Sequence, residues 1–398
     1  MSGRIVLGLG GTVDHEVVWD AAAFQRLVDG YGITLTELED APSLAVGSER
    51  EVVRDVLCSM HHSIGCEVFV RDRGDLLAFD ARFAHRVTLG GTCVRAALAL
   101  SRLGVGSTVH LVSISDEVRR LLPDDVDWIC SADEDSADPH VIVQYPAGAR
   151  IRVADGTVLA SRPNRVILVN DPPNEHMRLS AQLATVLHDA SVVLASGFNT
   201  MKSGSELRCR LAELEGALAV VPTGTPVVYE DAGFHDDALR SAVLETVRRA
   251  FCLHSLNEDE AQRYLGRPVD LADPAEVATM MTDLREILGA PTVMVHTSRY
   301  AAVIGTDAER YREAGQAGCL MASTRFLHGD AYTRAEYDAV ATAAREQVGT
   351  ALARDAGLLA AGVRIAPGFA VRTEHPTTIG LGDAFIGGVV GHLVHRAA

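Results

Sequence analysis

The sequence predicts an α/β protein with a mostly parallel central sheet covered by helices on both faces, accompanied by a smaller and more exposed lobe. Two observations support this prediction. From about residue 190 onwards, short runs of Val, Ile and Leu alternate with segments of helical length, which is typical of parallel strands buried on both faces. Between Trp19 and Arg86 the chain instead carries polar helices and short apolar pieces. A chain of 398 residues is long enough for one large domain and one smaller domain.

The composition narrows the range of partners. A net charge of −17 argues against nucleic acid or an anionic membrane as a main partner. The seven cysteines are odd in number, scattered and without Cys-x-x-Cys spacing, which favours reduced thiols over a disulfide framework or a zinc site. No apolar stretch reaches the ~18 residues of a membrane span, and the first is too short for a signal peptide. We therefore expect a cytoplasmic protein that is a monomer or a small homo-oligomer.

The first predicted strand covers residues 4–14 and ends in a glycine turn. Its Gly8-x-Gly10-Gly11 spacing disfavours a dinucleotide site, which requires Gly-x-Gly-x-x-Gly leading into a helix. Asp14 at the end of this segment can accept hydrogen bonds from two neighbouring hydroxyl groups of a polyol, or can be a plain turn residue.

Two further segments carry candidate ligand contacts. Gly90 and Gly91 precede a helix of small residues, where the backbone can approach a ligand closely, although a tight turn requires glycine equally. A later strand places His140 and Gln144 on one face, because strand side chains alternate between faces.

The ends of later predicted strands carry several polar side chains. Gly197, Asn257 and His296 each lie at a strand end, and ligands gather at the carboxyl edge of a parallel sheet. Asn257 and Glu260 are spaced either for a helix capping box or for an acid that holds Mg²⁺ directly or through water. Thr297 either offers its hydroxyl group to a phosphate or belongs to an ordinary loop.

The C-terminal segment is the centre of the predicted site. After a single long helix predicted over residues 334–356, the motif Gly380-Leu381-Gly382-Asp383 opens an almost uncharged run that we expect to form a buried helix. A glycine-rich helix N-terminus offers backbone N–H groups to phosphate. Asp383 fits a base that takes a proton from a hydroxyl group as it attacks a phosphoryl group, and ordinary helix capping is the alternative.

Together, motifs along nearly the whole chain resemble the ADP-dependent glucokinases and phosphofructokinases of the ribokinase-like superfamily. The resemblance rests on residues 257–260, 295–297 and 376–383 in this order and spacing, with further similarity at residues 89–91, 140, 164–165 and 195–198. It implies a ribokinase-like three-layer sandwich with a mostly parallel central sheet, plus a small α/β lid domain. The implied large nucleotide-binding domain comprises residues 1–14, 87–125 and 165–398, and the lid comprises residues 15–86 and 126–164.

The resemblance also implies roles for individual residues. Asp383 would be the catalytic base, with Gly380, Leu381 and Gly382 as the anion hole, and Glu260 would belong to the Mg²⁺ motif. The acceptor-side residues would be Asp14, Gly90, Gly91, His140 and Gln144. The nucleotide-side residues would be Asn257, His296, Thr297, Val363 and Thr378, with the segment from Val363 to Thr378 bordering the adenine.

Two departures from the family pattern fall on the acceptor side. The family usually has Asn where this chain has Thr12, and often has an acid where this chain has Gln144. The implied reaction is phosphoryl transfer with Mg²⁺ from ADP, or alternatively ATP, to a hydroxyl group of a sugar or sugar phosphate. A modified sugar or a nucleoside also fits as the acceptor. A sugar- or nucleotide-binding protein of the same fold without turnover is the remaining alternative.

Overall fold

A computed structural model describes residues 3–234, 236–374 and 376–395. Its strands form a nine-stranded sheet, a six-stranded sheet and a separate two-stranded hairpin. In chain order the strands are β1 Arg4–Leu7, β2 Thr12–Val17, β3 Ala45–Val46, β4 Cys66–Val70, β5 His85–Gly90, β6 Ser107–Leu111, β7 Val126–Cys130, β8 His140–Tyr145, β9 Arg150–Val153, β10 Gly156–Leu159, β11 Asn164–Val169, β12 Ala190–Ala195, β13 Val227–Glu230, β14 Leu253–Asn257, β15 Thr292–His296, β16 Tyr300–Gly305 and β17 Arg364–Pro367.

The helices alternate with these strands through most of the chain. They are α1 Ala21–Tyr31, α2 Glu49–His62, α3 Arg73–Asp80, α4 Thr92–Ser101, α5 Asp116–Leu121, α6 Pro172–Glu175, α7 Leu183–Leu187, α8 Gly204–Leu218, α9 Asp237–Ala250, α10 Glu258–Leu265, α11 Pro274–Leu288, α12 Ala308–His328, α13 Arg334–Ala341, α14 Gln347–Leu352, α15 Ala356–Ala360 and α16 Leu381–His395. The buried helix predicted after the C-terminal motif is confirmed as α16. Within the described ranges, none of these helices is both long and apolar enough to cross a membrane.

The single long helix predicted over residues 334–356 is wrong. The chain forms α13 and α14 with a break between them, because the backbone of the break pairs with the segment that follows β17. Glu346 N donates to Gly368 O at 3.0 Å, and Ala370 N donates to Ala344 O at 2.8 Å. The alanine-rich composition favours a helix, but these tertiary hydrogen bonds outweigh that propensity.

The large sheet is a covered, mostly parallel sheet. Its strand order is β17-β16-β15-β14-β13-β12-β1-β6-β7, and among these strands β16 alone runs against the rest. Ile5 and Leu7 of β1 pack in a core with α4 and α16, whereas Val6 packs on the opposite face with α8 and α9. Successive strand side chains point to opposite faces, so helices cover both sides of this sheet. The structure confirms the predicted three-layer α/β arrangement.

The smaller sheet has helices on one face and a cavity on the other. Its strand order is β3-β4-β11-β8-β2-β5, with both parallel and antiparallel pairs. Val141, Val143 and Tyr145 of β8 point into a core shared with α1, α2 and α3. The alternate residues His140 and Ile142 therefore face away from those helices and line the cavity.

Sheet membership differs from the predicted segments at β2, β5, β7 and β11. β7 joins the large sheet although it lies within residues 126–164, and β5 and β11 join the smaller sheet. Asp14 lies inside β2 and does not end the first strand, because the chain leaves β1 at Leu7, turns through glycines and enters the smaller sheet. Alternating apolar residues predict a strand equally well in either sheet, so the pattern does not reveal which sheet a strand joins.

Candidate active site

One cavity lies where the carboxyl ends of β1, β12, β13, β14 and β15 meet the second face of the smaller sheet. Its volume is about 420 Å³. The sequence-predicted residues that line it are Asp14, Gly91, His140, Gly197, Asn257, Glu260, His296, Thr378, Gly380, Leu381, Gly382 and Asp383. The structure thus brings the C-terminal motif, most of the strand-end residues and part of the acceptor-side set to one place.

Gly90 does not line the cavity, although it lies next to the Asp14 carboxylate. A Cβ atom at this position would come within 2.2 Å of Asp14 Oδ2 and 2.3 Å of Thr12 Oγ1. Glycine therefore permits the close approach of β5 to the Asp14 carboxylate, which is a positional role.

Three other predicted residues also lie outside the cavity lining. Thr297 closes the turn between β15 and β16, where its hydroxyl group donates to Tyr300 O at 3.0 Å. Val363 is fully buried in the core formed with α11 and α15. Gln144 is half-buried in β8 beside Arg165 of β11. Contacts of these three residues with a ligand stay predictions.

Arg95 joins the two most important carboxylates of the site. Asp383 lies in the first turn of α16 with its side chain 24% exposed, and Arg95 Nε lies 3.9 Å from Asp383 Oδ2. Arg95 Nη2 donates to Asp14 Oδ2 at 2.7 Å. Burial disfavours the charge of Arg95, but the charges of Asp14 and Asp383 outweigh that effect and raise its pKa. The catalytic candidate and the acceptor-side carboxylate therefore share one buried guanidinium group.

Two more arginines lie at this end of the site: Arg165 lines the cavity, and Arg325 lies behind the chain that enters α16. Arg325 Nε donates to Ile379 O at 2.9 Å and pairs with Asp330, which holds the chain entering α16. Burial, followed by the charge of Arg95, lowers the pKa of Arg325 to about 10. Arg165 lines the cavity, and no described residue offers its guanidinium group a hydrogen bond or an ion pair. Burial lowers the pKa of Arg165. Guanidinium groups placed in this way favour an anionic ligand.

The N-terminus of α16 adds backbone donors beside these arginines. Gly380 has φ of 67°, a left-handed conformation that favours glycine, and Ala384 N donates to its carbonyl oxygen at 3.0 Å. The N–H groups of Leu381 and Gly382 belong to the first helical turn, where no intrahelical acceptor exists. The helix dipole also favours negative charge at this end. This N-terminus therefore offers backbone donors of the kind that bind anions, and the anion-hole role of Gly380, Leu381 and Gly382 stays a prediction.

Three acids line another part of the cavity: Glu230, Asp231 and Glu260. Glu230 Oε1 lies 2.9 Å from His296 Nε2, whereas Glu230 Oε2 is buried without a hydrogen-bond partner among the described residues. Burial, followed by the charge of Asp231, raises the pKa of Glu260 to about 7. An orphaned carboxylate oxygen beside two further acids fits a divalent cation, and Mg²⁺ prefers oxygen ligands. These oxygen donors suit the expected Mg²⁺ chemically, but within the described residues the three acids do not converge on one point, and Asp231 Oδ2 already contacts His254 and Tyr264.

The capping box between Asn257 and Glu260 is formed. Glu260 Oε2 accepts a hydrogen bond from Asn257 N at 2.9 Å, and Asn257 Oδ1 accepts one from Glu260 N at 2.9 Å. The capping alternative is thus confirmed. Because the cap uses one oxygen of the carboxylate, it is compatible with a cation on the other.

Two buried histidines of the cavity are each held by a carboxylate. His140 Nε2 lies 2.9 Å from Asp171 Oδ2, and Asn174 Nδ2 donates to the same oxygen at 2.7 Å. Burial lowers the pKa of His140, but the hydrogen bond and the charge of Asp171 outweigh it and raise the pKa. Glu230 acts on His296 in the same way and also raises its pKa. These pairs fix the orientation of both imidazole rings.

Sequence reasoning did not select Arg95, Arg165, Arg325, Glu230 or Asp231. Glu230 and Asp231 end a predicted strand, so the argument that selected Asn257 also applies to them. Arg95 is the one charge in a helix of small and apolar residues, which indicates a buried ion pair. Arg325 has no comparable local signal, since it reaches the site only through the packing of α12 against α16.

A helix N-terminus with an aspartate and arginines, together with acids suited to Mg²⁺, contains the parts of a phosphotransferase with an alcohol group as acceptor. Residues 3–385 match the family model described as the ADP-specific phosphofructokinase/glucokinase conserved region. The chain belongs to this family of ADP-dependent sugar kinases. No curated protein sequence matches the chain significantly.

Several solved structures of ADP-dependent phosphofructokinases and kinases have the same fold as this chain. A phosphofructokinase from Pyrococcus horikoshii OT3, solved with AMP, is 14% identical, with a TM-score of 0.76 over 99% of this chain and 98% of that chain. A last common ancestor of ADP-dependent phosphofructokinases from Methanosarcinales is 15% identical, with a TM-score of 0.73 over 99% and 94%. An ADP-dependent kinase in complex with fructose-6-phosphate and ADPβS is 14% identical, with the same TM-score of 0.73 over 99% and 94%. These structures show that the chain shares the fold of the ADP-dependent phosphofructokinases, with a large, mostly parallel sheet and a smaller second sheet.

Proposed function

We propose that the protein transfers the β-phosphoryl group of ADP to a hydroxyl group of a sugar or sugar phosphate, with Asp383 as the base. The observation that carries this proposal is the position of Asp383. It lies at a helix N-terminus, in one cavity with Asp14, and both carboxylates lie next to Arg95. A site for anion binding alone has no need of a carboxylate at that position, whereas a base does.

The proposed reaction is a single in-line displacement. The acceptor oxygen forms a bond to the β-phosphorus, the bond from that phosphorus to the bridging oxygen breaks, and AMP leaves. The hydroxyl proton passes to Asp383. The N–H groups of Leu381 and Gly382, with Arg95 and Arg325, stabilise the charge on the transferred group.

Glu260 and Glu230 would hold Mg²⁺, directly or through water. When bound, the cation neutralises part of the charge on the donor phosphates. The nucleotide then lies along Asn257, His296 and Thr378, which share this part of the cavity lining. The complex of a related fold with ADPβS supports ADP as the donor.

The acceptor lies against the smaller sheet, which with its helices acts as the lid. Asp14, Gly91 and His140 line this wall and bind the acceptor hydroxyl groups. Thr12 Oγ1 donates to Asp14 Oδ1 at 2.6 Å, so the departure from the family's Asn keeps a polar contact to this carboxylate. The unpaired guanidinium group of Arg165 favours an acceptor that already carries a phosphate.

A matrix of donors against acceptors tests the proposal: ADP, ATP and GTP, each with hexoses, hexose phosphates, amino sugars and nucleosides. The proposal expects AMP to form from ADP with a hexose or hexose phosphate. Turnover with ATP but not with ADP would show that ATP, and not ADP, is the phosphoryl donor. Ligand-induced thermal stabilisation without turnover anywhere in the matrix would support a binding protein and contradict the proposal that the protein is an enzyme.

A further inference from the structure

A second cluster of ligand-type side chains lies behind the wall that carries Asp14. His15 belongs to β2 and His85 to β5, and Asp80 is the last residue of α3. In the antiparallel β2–β5 pair, Val17 lies opposite His85, so His15 and His85 are diagonal neighbours on one face. Asp14 points to the other face. The cluster is therefore separate from the cavity described above, although one strand serves both.

The three side chains converge on one point. His15 Nδ1 lies 2.7 Å from Asp80 Oδ2, and His85 Nδ1 lies 3.1 Å from Asp80 Oδ1. The two imidazole rings are stacked with centroids 4.0 Å apart. One ligand atom from each residue lies within 4.8 Å of the others.

The cluster leaves buried polar atoms unsatisfied. Asp80 is 5% exposed, and no Lys or Arg side chain pairs with it among the described residues. Asp80 Oδ1 and His85 Nδ1 are both buried without a hydrogen-bond partner in that same part of the chain, because their 3.1 Å contact lacks hydrogen-bond geometry. Leaving such atoms unpaired is costly, whereas one cation bound between them would satisfy both.

We propose that His15, Asp80 and His85 form a binding site for a divalent transition metal of the zinc type. Two imidazole nitrogens and one carboxylate are ligands that suit zinc and its neighbours, whereas Mg²⁺ and Ca²⁺ prefer oxygen alone. Tetrahedral ligands at ~2.0–2.1 Å from zinc lie about 3.3 Å apart, so the present spacing needs to open only slightly. The stacked rings must also tilt towards the ion. His85 is 26% exposed and provides both the freedom to tilt and a path from solvent.

A metal here would tie α3 to β2 and β5 at the back of the strand that carries Asp14. It would stabilise the smaller sheet without contacting the reacting groups. This inference does not depend on the proposed reaction.

The test is calorimetric titration of the full-length, metal-free protein with Zn²⁺ in the presence of excess Mg²⁺, together with Co²⁺ absorption spectroscopy. We expect one Zn²⁺ equivalent and a Co²⁺ spectrum typical of low coordination number. His85→Gln and Asp80→Asn should each weaken binding by at least about tenfold. His61→Gln, which changes an exposed histidine of α2, is the matched control and should leave the affinity unchanged.

Two results would contradict the proposed metal site. One is the absence of saturable Zn²⁺ binding by the wild-type protein, which needs no variant and therefore no assumption about folding. The other is wild-type affinity in His85→Gln, whose position at the partly exposed start of β5 makes it the milder substitution. Loss of binding in Glu260→Gln but not in His85→Gln would place the metal in the kinase cavity and contradict the proposal.

Discussion

The two walls of the cavity differ in how their functional groups are placed. On the wall formed by the large sheet, Glu230 and Asn257 lie at strand ends and Asp383 lies at a helix N-terminus. On the wall formed by the smaller sheet, Asp14 and Arg165 come from within strands. Groups at element ends carry a local sequence signal, even where it was not used, as at Glu230, whereas Arg165 within a strand faces the cavity only because of its pairing and register. The wall formed by the large sheet is therefore easier to predict from sequence than the wall formed by the smaller sheet.

The largest effect should come from removing the base. Asp383→Asn keeps the size of the side chain but cannot accept the hydroxyl proton, so kcat should fall by about 10²–10⁴-fold. The dissociation constant for ADP should change little, because the helix N–H groups and arginines remain. Steady-state kinetics and equilibrium ADP binding measure the two quantities.

Asp124→Asn, at an exposed surface position, is the control for the base variant and should keep wild-type kcat. Full activity of Asp383→Asn would remove the base from the mechanism and leave Asp383 as a helix cap.

We expect the substitution that removes the ion pairs linking the two walls to lower the free energy of unfolding more than any other substitution proposed here. Arg95→Met leaves the buried carboxylate of Asp14 without its cation, so we expect a loss of about 3–5 kcal/mol in the free energy of unfolding. Urea denaturation measures it. Arg119→Met breaks an exposed ion pair with Asp135 and should change stability little. Equal effects of the two substitutions would mean that Arg95 is not an essential link between the walls.

A substitution at Glu260 separates the capping role from the metal role. Glu260→Gln can still accept the hydrogen bond from Asn257 N, since Gln also completes a capping box, but it removes the negative charge. We expect a higher Mg²⁺ concentration for half-maximal activity. Glu258→Gln in the same helical turn is the control. An unchanged Mg²⁺ requirement in Glu260→Gln would leave Glu260 with the capping role alone.

The same variant tests the raised pKa of Glu260. Burial favours the protonated carboxyl, so its contribution to stability is complete below the ordinary pKa of 4.5 and is lost as the pH rises through about 7. Without Mg²⁺, the wild-type protein should lose on the order of 2 kcal/mol over this range. Chemical denaturation at several pH values should show a weaker pH dependence of the free energy of unfolding for Glu260→Gln than for the wild-type protein. An identical pH dependence would show that other groups cause it.

The smallest kinetic effect should come from a substitution on the wall formed by the smaller sheet. Arg165→Gln removes one cationic contact, so KM for a phosphorylated acceptor should rise about tenfold, while KM for an unphosphorylated sugar stays nearly unchanged. Arg150→Gln, at an exposed position of β9, is the control. An equal change in both KM values would show that Arg165 does not recognise the acceptor phosphate.

The comparison of the walls also explains what the sequence predicts and what it does not. The α16 motif combines a long uncharged run with Gly-x-Gly-Asp, so its burial, which the structure confirms, and its proposed role are both predicted from local sequence. Arg325 contacts the chain entering α16 only because α12 packs against α16. The sheet that β5, β7 and β11 join is set by their hydrogen-bonding partners. The break between α13 and α14 depends on the distant segment after β17. Each of these features is set by tertiary contacts that local propensity does not contain.

The central claim is that Asp383 promotes direct phosphoryl transfer between ligands held on the two walls. A single-turnover experiment with excess enzyme, ADP labelled in its β-phosphoryl group and a hexose phosphate tests this claim most directly. We predict that the label moves to the acceptor as AMP appears in equal amount, and that Asp383→Asn slows both together. Label released as inorganic phosphate, or transfer at the wild-type rate in Asp383→Asn, would contradict it.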